Sequence, residues 1–334
     1  MIIDDDYLNS ESINQSRLKK ILAHPLIYKN YKGQSDEDEP ADATLIGDGV
    51  DMILTQSKEK YDEKFLVTTA EKPSSKLGDF VWALYQNRHN SDAERIAYEA
   101  AGFSIDIAVV RKNFKEKGKE YYDMLIASEN QKVISPSQHN TILQIVESFK
   151  NSPFTSKYFK ETDNIKIFTQ VAIEFVIEYD GMKFHCKALL DMVIVNISSG
   201  EIIPVDIKTT GFALNSWEDQ LFKFRYDFQS AWYLTALKSI DLKERFGINM
   251  LFGEPVVKDF IFLVESQKFP GNPLIFEIDS SIVEIGTNGG VYKGVYYEGY
   301  IQALDRLVYH LESDKWDYKR EDYENYGVRR VIQK

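Results

Sequence analysis

Apolar residues recur at helical spacing over 12–30, where Ile13, Leu18, Ile21, Leu22 and Ile27 predict a helix that Pro25 bends or ends in its last turn. The period resumes over 44–56 with Leu45, Val50, Ile53 and Leu54, and Gly47 and Gly49 allow close backbone approach there. Short elements continue to about residue 70, and 74–160 reads as largely helical. Within it, 137–149 carries the stripe Ile142, Ile145, Val146, Phe149 behind a Ser135 or Ser137 cap. From Ile165 the period changes to alternation and β-branched runs over 165–179, 182–196 and 201–209. Asp180-Gly181 marks a tight hairpin between the first two runs, and 196–201, NISSGE, a longer turn before the third. The prediction is an antiparallel three-strand meander. A long amphipathic helix follows at about 216–238, then a strand at 258–265 and a closing helix at about 292–312. The polar stretch 32–43, KGQSDEDEPADA, has no apolar period and reads as an exposed acidic loop.

The 334 residues, 43% of them hydrophobic, suffice for one large α/β domain or two smaller ones without covalent staples. The single cysteine, Cys186, excludes an internal disulfide and a four-cysteine zinc or iron–sulfur site within the chain. The acidic N-terminus is unlike a signal peptide and no apolar run reaches the ~20 residues that cross a bilayer, so a cytoplasmic protein with no membrane partner is expected. A net charge of -12 argues against non-specific binding along nucleic acid. Carboxylates offset by bound cations escape part of that objection.

Strand partners in an antiparallel hairpin have residue numbers of constant sum, so the turns fix which side chains meet. Centring the second turn between Ser198 and Ser199 sets Asp191 opposite Asp206, with Lys208 two residues along on the same face. Centring the first between Asp180 and Gly181 brings Gln170 opposite Asp191 and Glu174 opposite Lys187 as accessory groups on that face. A bulge at Gly200 would shift this register. Facing carboxylates are unfavourable unless something positive lies between them. A divalent cation with oxygen ligands, Mg2+ or Mn2+, satisfies the patch and orients and activates a water, with Lys208 as electrostatic partner. A purely structural ion network satisfies it too, and the cluster alone leaves both open.

Leu190-Asp191 and, fifteen positions after the aspartate, Asp206-Ile207-Lys208 resemble the PD-(D/E)XK nuclease signature, and Gln229-Ser-Ala-Trp-Tyr233 resembles the QxxxY helix of its RecB-like branch. Spacing of four puts Gln229 and Tyr233 on one helix face, joined by Tyr226. Tyr7, Ile13-Asn-Gln-Ser16-Arg-Leu18 and His24-Pro25-Leu-Ile-Tyr28 are similar to the opening of phage-type exonucleases related to RecE, exodeoxyribonuclease VIII. The segment from Leu45-Ile-Gly47 to Asp51-Met-Ile-Leu54 is similar to their Gly-x-x-x-His helix, with Asp51 in place of the histidine.

The resemblance implies an α+β or α/β PD-(D/E)XK core, a mixed central sheet flanked by helices, over 161–334, with a mainly helical region over 1–160 packed on it and contributing Asp51. It implies Asp191, Asp206, Lys208, Gln229 and Tyr233 as catalytic, and Asp51, Asp191, Asp206 and the Ile207 backbone carbonyl as metal ligands. Ser16, Lys187, Lys223, Arg225 and Tyr226 become candidate DNA contacts. The implied activity is divalent-metal-dependent exonucleolytic hydrolysis of duplex DNA from linear ends, 5′ to 3′, in phage recombination or replication. A strand-annealing partner and a ring-shaped homo-oligomer come with it. A structure-specific endonuclease and a non-catalytic DNA-binding or assembly module are the alternatives. His24, His89, His139, His185 and His310 show no metal-ligand spacing. The run 286–290, GTNGG, lacks the P-loop lysine, so no nucleotide cofactor is expected.

Overall fold

The computed structural model describes residues 7, 10–31, 42–70, 72–128, 131–248 and 253–329; the acidic stretch expected at 32–43 lies outside them except for its last two residues. In chain order the described elements open with α1 (Gln15–Ala23) and α2 (Pro25–Lys29). Next come α3 (Asp42–Thr55), α4 (Lys58–Lys64), β1 (Phe65–Val67), α5 (Ser75–Gln86), α6 (Ala93–Ala100), α7 (Ile107–Asn113), α8 (Lys119–Ala127), β2 (Lys132–Ile134) and α9 (Pro136–Asn151). The meander follows as β3 (Ile165–Tyr179), β4 (Met182–Asn196) and β5 (Glu201–Thr210), then α10 (Trp217–Lys223), α11 (Tyr226–Lys238) and α12 (Leu242–Phe246). The chain closes with β6 (Val256–Val257), β7 (Phe260–Ser266), β8 (Leu274–Ile278), α13 (Ser280–Asn288), β9 (Gly290–Tyr292), β10 (Val295–Tyr297), α14 (Tyr300–Ser313) and α15 (Arg320–Glu324). They divide into two compact units, Met1–Gln34 with Ser148–Lys334, and Ser35–Glu147.

The first unit is α+β, built on a mixed sheet of order β3-β4-β5-β7-β8, with helices flanking it and β6 pairing with the start of β5. Both predicted turns keep their register. Asp180 and Gly181 both take positive φ, the conformation a two-residue hairpin demands, and Tyr179 faces Met182. In the longer turn, the Asn196 side chain accepts from the Ser198 and Ser199 N–H groups at 3.1 Å each, and Gly200 takes φ +72° without inserting a residue into the ladder. Met192 therefore faces Val205. Strand β7 runs parallel to β5 and is buried along its whole length, as a central parallel strand with both faces covered must be. Beyond the point where β5 diverges from β4, Ile13 takes up the ladder: its N–H donates to His185 and its carbonyl accepts from Lys187.

Three predicted elements differ. The helix expected at 12–30 is two helices, because His24 is extended and its ring caps α2 by accepting from the Leu26 N–H. The helix expected at 216–238 is broken at Phe224–Arg225. Arg225 takes a left-handed φ of +59°, held there by two hydrogen bonds from its guanidinium to Asp227. Nor is α11 amphipathic: from Asp227 to Leu234 every residue is buried, since the sheet covers one side and α13 another. The closing helix begins at Tyr300 instead of 292, because 290–297, GVYKGVYY, forms a hairpin whose Lys293 and Gly294 both take positive φ.

The second unit is mainly helical around Phe80, Val81, Tyr85, Ala97, Val110, Tyr121 and Leu125. A short parallel pair, β1 with β2, is an addition to the predicted helices. Ser135 caps α9 reciprocally with Gln138, each side chain accepting from the other residue's N–H.

Candidate active site

The meander's turns settle where the acids go. Continuing the β4–β5 ladder one step past Met192 and Val205 brings Asp191 beside Asp206, and the Ile207 N–H donates to Asp191 Oδ2 at 3.0 Å. Asp206 is 1% exposed. Its Oδ1 accepts from Gln229 Nε2 at 2.7 Å, and its Oδ2 lies 2.5 Å from the Lys208 ammonium. The Asp191 carboxyl also interacts with it. One further β5 residue, Lys208, one β4 residue, Asp191, and one α11 residue, Gln229, thus converge on the buried Asp206 carboxylate.

The electrostatics follow from burial. Desolvation raises the pKa of Asp206, and Lys208, Asp191 and Gln229 oppose that rise. Burial works against the Lys208 charge as well, but the carboxylates of Asp206 and Asp191 outweigh it and hold the ammonium protonated well above its ordinary range. Tyr226 supports it from below, with Lys208 Nζ 5.2 Å from the ring centre. Tyr233 is buried 6.0 Å from the Phe260 ring. Its hydroxyl pKa is raised by desolvation first and then by Asp206 and Asp191, so the phenol stays neutral.

A divalent cation fits this donor set. Asp206 Oδ2 makes no hydrogen bond besides its ion pair with Lys208, and two carboxylates side by side, one buried and one half-buried, are the oxygen donors that Mg2+ or Mn2+ takes. Among the described residues no group of three or more His, Cys, Asp or Glu side chains gathers as a metal cage, so further ligands would be backbone carbonyl, water or substrate oxygen.

The remaining predicted residues sort by what they touch. Gln170 takes a left-handed φ of +49° where the register faces Asp191, and the ladder skips that position. Holding a non-glycine residue there costs ~1–3 kcal/mol. Glu174 pairs with Lys187 across the hairpin and is exposed. The Lys187 ammonium donates to the carbonyls of Tyr7 and Ser10, tying the N-terminal segment to β4. Arg225 is engaged with Asp227 and the Glu298 carbonyl. Lys223 is exposed, and the Ser16 hydroxyl accepts from Gln15. Asp51 lies half-buried on α3 in the second unit.

Sequence reasoning passed over Lys19. It sits on α1 within electrostatic reach of Lys208, Arg225 and Asp227; burial first, then Lys208 and Arg225, press its pKa down to about 8. Its spacing of three from Ser16 on one helix face was the available signal.

No family model matches the chain, and no curated protein matches it. Among solved structures it resembles a protein from Eubacterium rectale named "Putative exonuclease", at 13% identity over 100% of this chain and 96% of that one, with a TM-score of 0.42. It also resembles SSO0001, at 14% identity over 80% of this chain and 84% of that one, with a TM-score of 0.28. Likenesses this distant carry no weight for function. Among the described residues no helix is long and apolar enough to cross a membrane.

Proposed function

We propose that the first unit is the catalytic core of a divalent-metal-dependent DNA nuclease, an exonuclease acting at linear duplex ends. One observation carries it: Asp206, nearly inaccessible to solvent, is gripped by Gln229 and Lys208 with Asp191 beside it. Asp191, Asp206 and the Ile207 carbonyl would hold Mg2+ or Mn2+. When bound, the cation supplies Lewis-acid polarisation of the scissile phosphate and a lowered pKa for a ligated water.

The chain's own groups do the rest. Lys208, ion-paired with Asp206, serves as a cation that donates to a phosphate oxygen and stabilises negative charge in the transition state. Gln229 fixes the orientation of Asp206, and Tyr233 lines the pocket in neutral form. Polarity of 5′ to 3′, a strand-annealing partner, a ring assembly with a basic lumen and a phage or bacterial cytoplasmic setting belong to the same proposal and rest on the motif resemblance alone.

End-labelled linear duplex and covalently closed circles, incubated with and without Mg2+ or Mn2+, test the reading. Nucleotides should be released from the linear form only, and Lys208→Ala or Asp191→Asn should lower the rate by roughly 100-fold or more. No release with either metal, or an unaffected Lys208→Ala, would overturn it. Cutting of the circle would assign the site to a structure-specific endonuclease.

A further inference from the structure

Parallel strands β5 and β7 end side by side, just past the catalytic lysine, and exposed aromatic residues gather in the segments that follow. Phe212, two residues past β5, is 53% exposed; Phe269, three past β7, is 79% exposed; Phe224, just after α10, is 44% exposed. Cations lie between the rings. Lys223 Nζ stands 5.5 Å from the centre of Phe212 and 5.6 Å from that of Phe224. The Phe224 ring is 5.8 Å from Tyr226, which lies under the Lys208 ammonium. Rings and ammonium groups therefore form one continuous series from the surface inward to Asp206: Phe212, Lys223, the adjoining rings Phe224 and Tyr226, then Lys208.

This crest is held in place. The Thr210 hydroxyl donates to Gln220 and accepts from the Phe212 N–H, and Gln267 bonds to both Thr209 and Thr210. Two large exposed apolar rings with a lysine ammonium between them match the requirements of a polyanion with stackable bases better than those of an apolar protein face, and they place a local cation on a chain that is acidic as a whole.

The geometry points to the crest as a track for single-stranded nucleic acid: bases stack on Phe212 and Phe224, phosphates pass Lys223, and the strand reaches Lys208 in one file. This deepens the nuclease reading and rests on it for the meaning of the site, though not for the binding itself.

The test uses the full chain without divalent metal and a fluorescein-labelled thymidine 20-mer, followed by anisotropy. Phe212→Ala and Phe224→Ala should each weaken binding about 5- to 150-fold, the range that loss of one stacked base implies. Phe212→Trp and Phe224→Trp should bind as well as the parent, and Lys223→Ala should make the salt dependence shallower by about one phosphate. Hydrolysis of a mononucleotide ester, too short to reach the rings, should be unchanged in the phenylalanine variants with Mn2+. Alanine variants that bind the 20-mer like the parent overturn the track. A drop in particle mass by light scattering with DNA binding intact also overturns it and makes the crest a protein interface. Ring-dependent binding by a protein that hydrolyses neither substrate upholds the track and sinks the nuclease reading.

Discussion

Gly286, in the run GTNGG that holds no phosphate loop, is where α13 crosses α11. A Cβ added there would stand 2.1 Å from the Asp227 carbonyl oxygen, 2.5 Å from the carbonyl carbon and 3.0 Å from Ala231 Cβ. Non-bonded heavy atoms rest at roughly 3.5 Å, and the nearest obstacle is backbone, so no rotamer change relieves the clash. The helices must part by on the order of 1 Å. Overpacking typically costs ~1–3 kcal/mol, and a clash borne by backbone belongs at the upper end, so Gly286→Ala should lose about 3 kcal/mol. The displaced helix carries Gln229, two residues beyond Asp227, so the 2.7 Å hydrogen bond to Asp206 should lengthen and nuclease activity fall with stability. Urea unfolding followed by the buried Trp217 and Trp232 reads the first effect, and nucleotide release below the transition reads the second. Gly211→Ala is the control: a Cβ at that position would meet nothing within 4 Å and its φ is not positive, so its cost should stay within ~0.5 kcal/mol. Equal urea midpoints for the two variants would refute the packing argument; a destabilised Gly286→Ala of full activity would refute the coupling to Gln229.

Gln229→Leu removes a buried hydrogen bond to a charged acceptor and should cost about 1.5–3 kcal/mol in urea unfolding together with most of the nuclease rate; a variant of parental rate would remove Gln229 from the machinery. Lys19 has its folded pKa lowered to about 8 from an ordinary 10.5, chiefly by burial, so between those values the unfolded chain binds more protons and stability should rise with pH. The difference between parent and Lys19→Met in unfolding midpoint should therefore shift in the parent's favour from pH 7.5 to 10, and a constant difference would show that Lys19 feels no such field. Glu265, fully buried, accepts from the Ser148 hydroxyl and from the N–H groups of Ser266 and Gly271. Glu265→Ala strands those donors, at ~1–3 kcal/mol for each that stays dry, and should open 266–271 to limited proteolysis; an unchanged digestion pattern would count against that anchoring.

The juxtaposition of Asp191, Asp206 and Lys208 was legible because both meander turns take their residue counts from local chemistry. Asp180-Gly181 supplies the two positive φ values of a tight hairpin, and Asn196 closes its turn with its own side chain, so neither ladder slips. What escaped the sequence turns on individual contacts and turn residues that the apolar period does not register. Nothing near Phe224 breaks the helical period, and Arg225 leaves it because Asp227 and the Glu298 carbonyl hold its guanidinium. The hairpin at 290–297 shares its apolar spacing with a helix start, and Lys293-Gly294 decides between them. Likewise, the described N-terminal residues 10–31 group with the sheet unit, Ile13 pairing with β4 and α1 packing on α14, which no local pattern announces.

Those same long-range bonds change what the cations around the site can do. Lys187 and Arg225 both looked available for phosphate, yet one holds the Tyr7 and Ser10 carbonyls and the other holds Asp227. Their charge shapes the protein more than it reaches outward. Lys223 is exposed between two rings, and Lys208 is kept charged by the acids it serves. Lys19 loses part of its charge near neutral pH through burial first and then the repulsion of Lys208 and Arg225. A substrate at this site would therefore meet a short cationic path within an acidic molecule and contact few phosphates directly. Counterion release is correspondingly small, so on the proposed reading stacking on the crest, together with any cation that Asp191 and Asp206 would hold, provides most of the hold on a nucleic acid. On that reading the cut falls beside Lys208, where stacking on the crest stops.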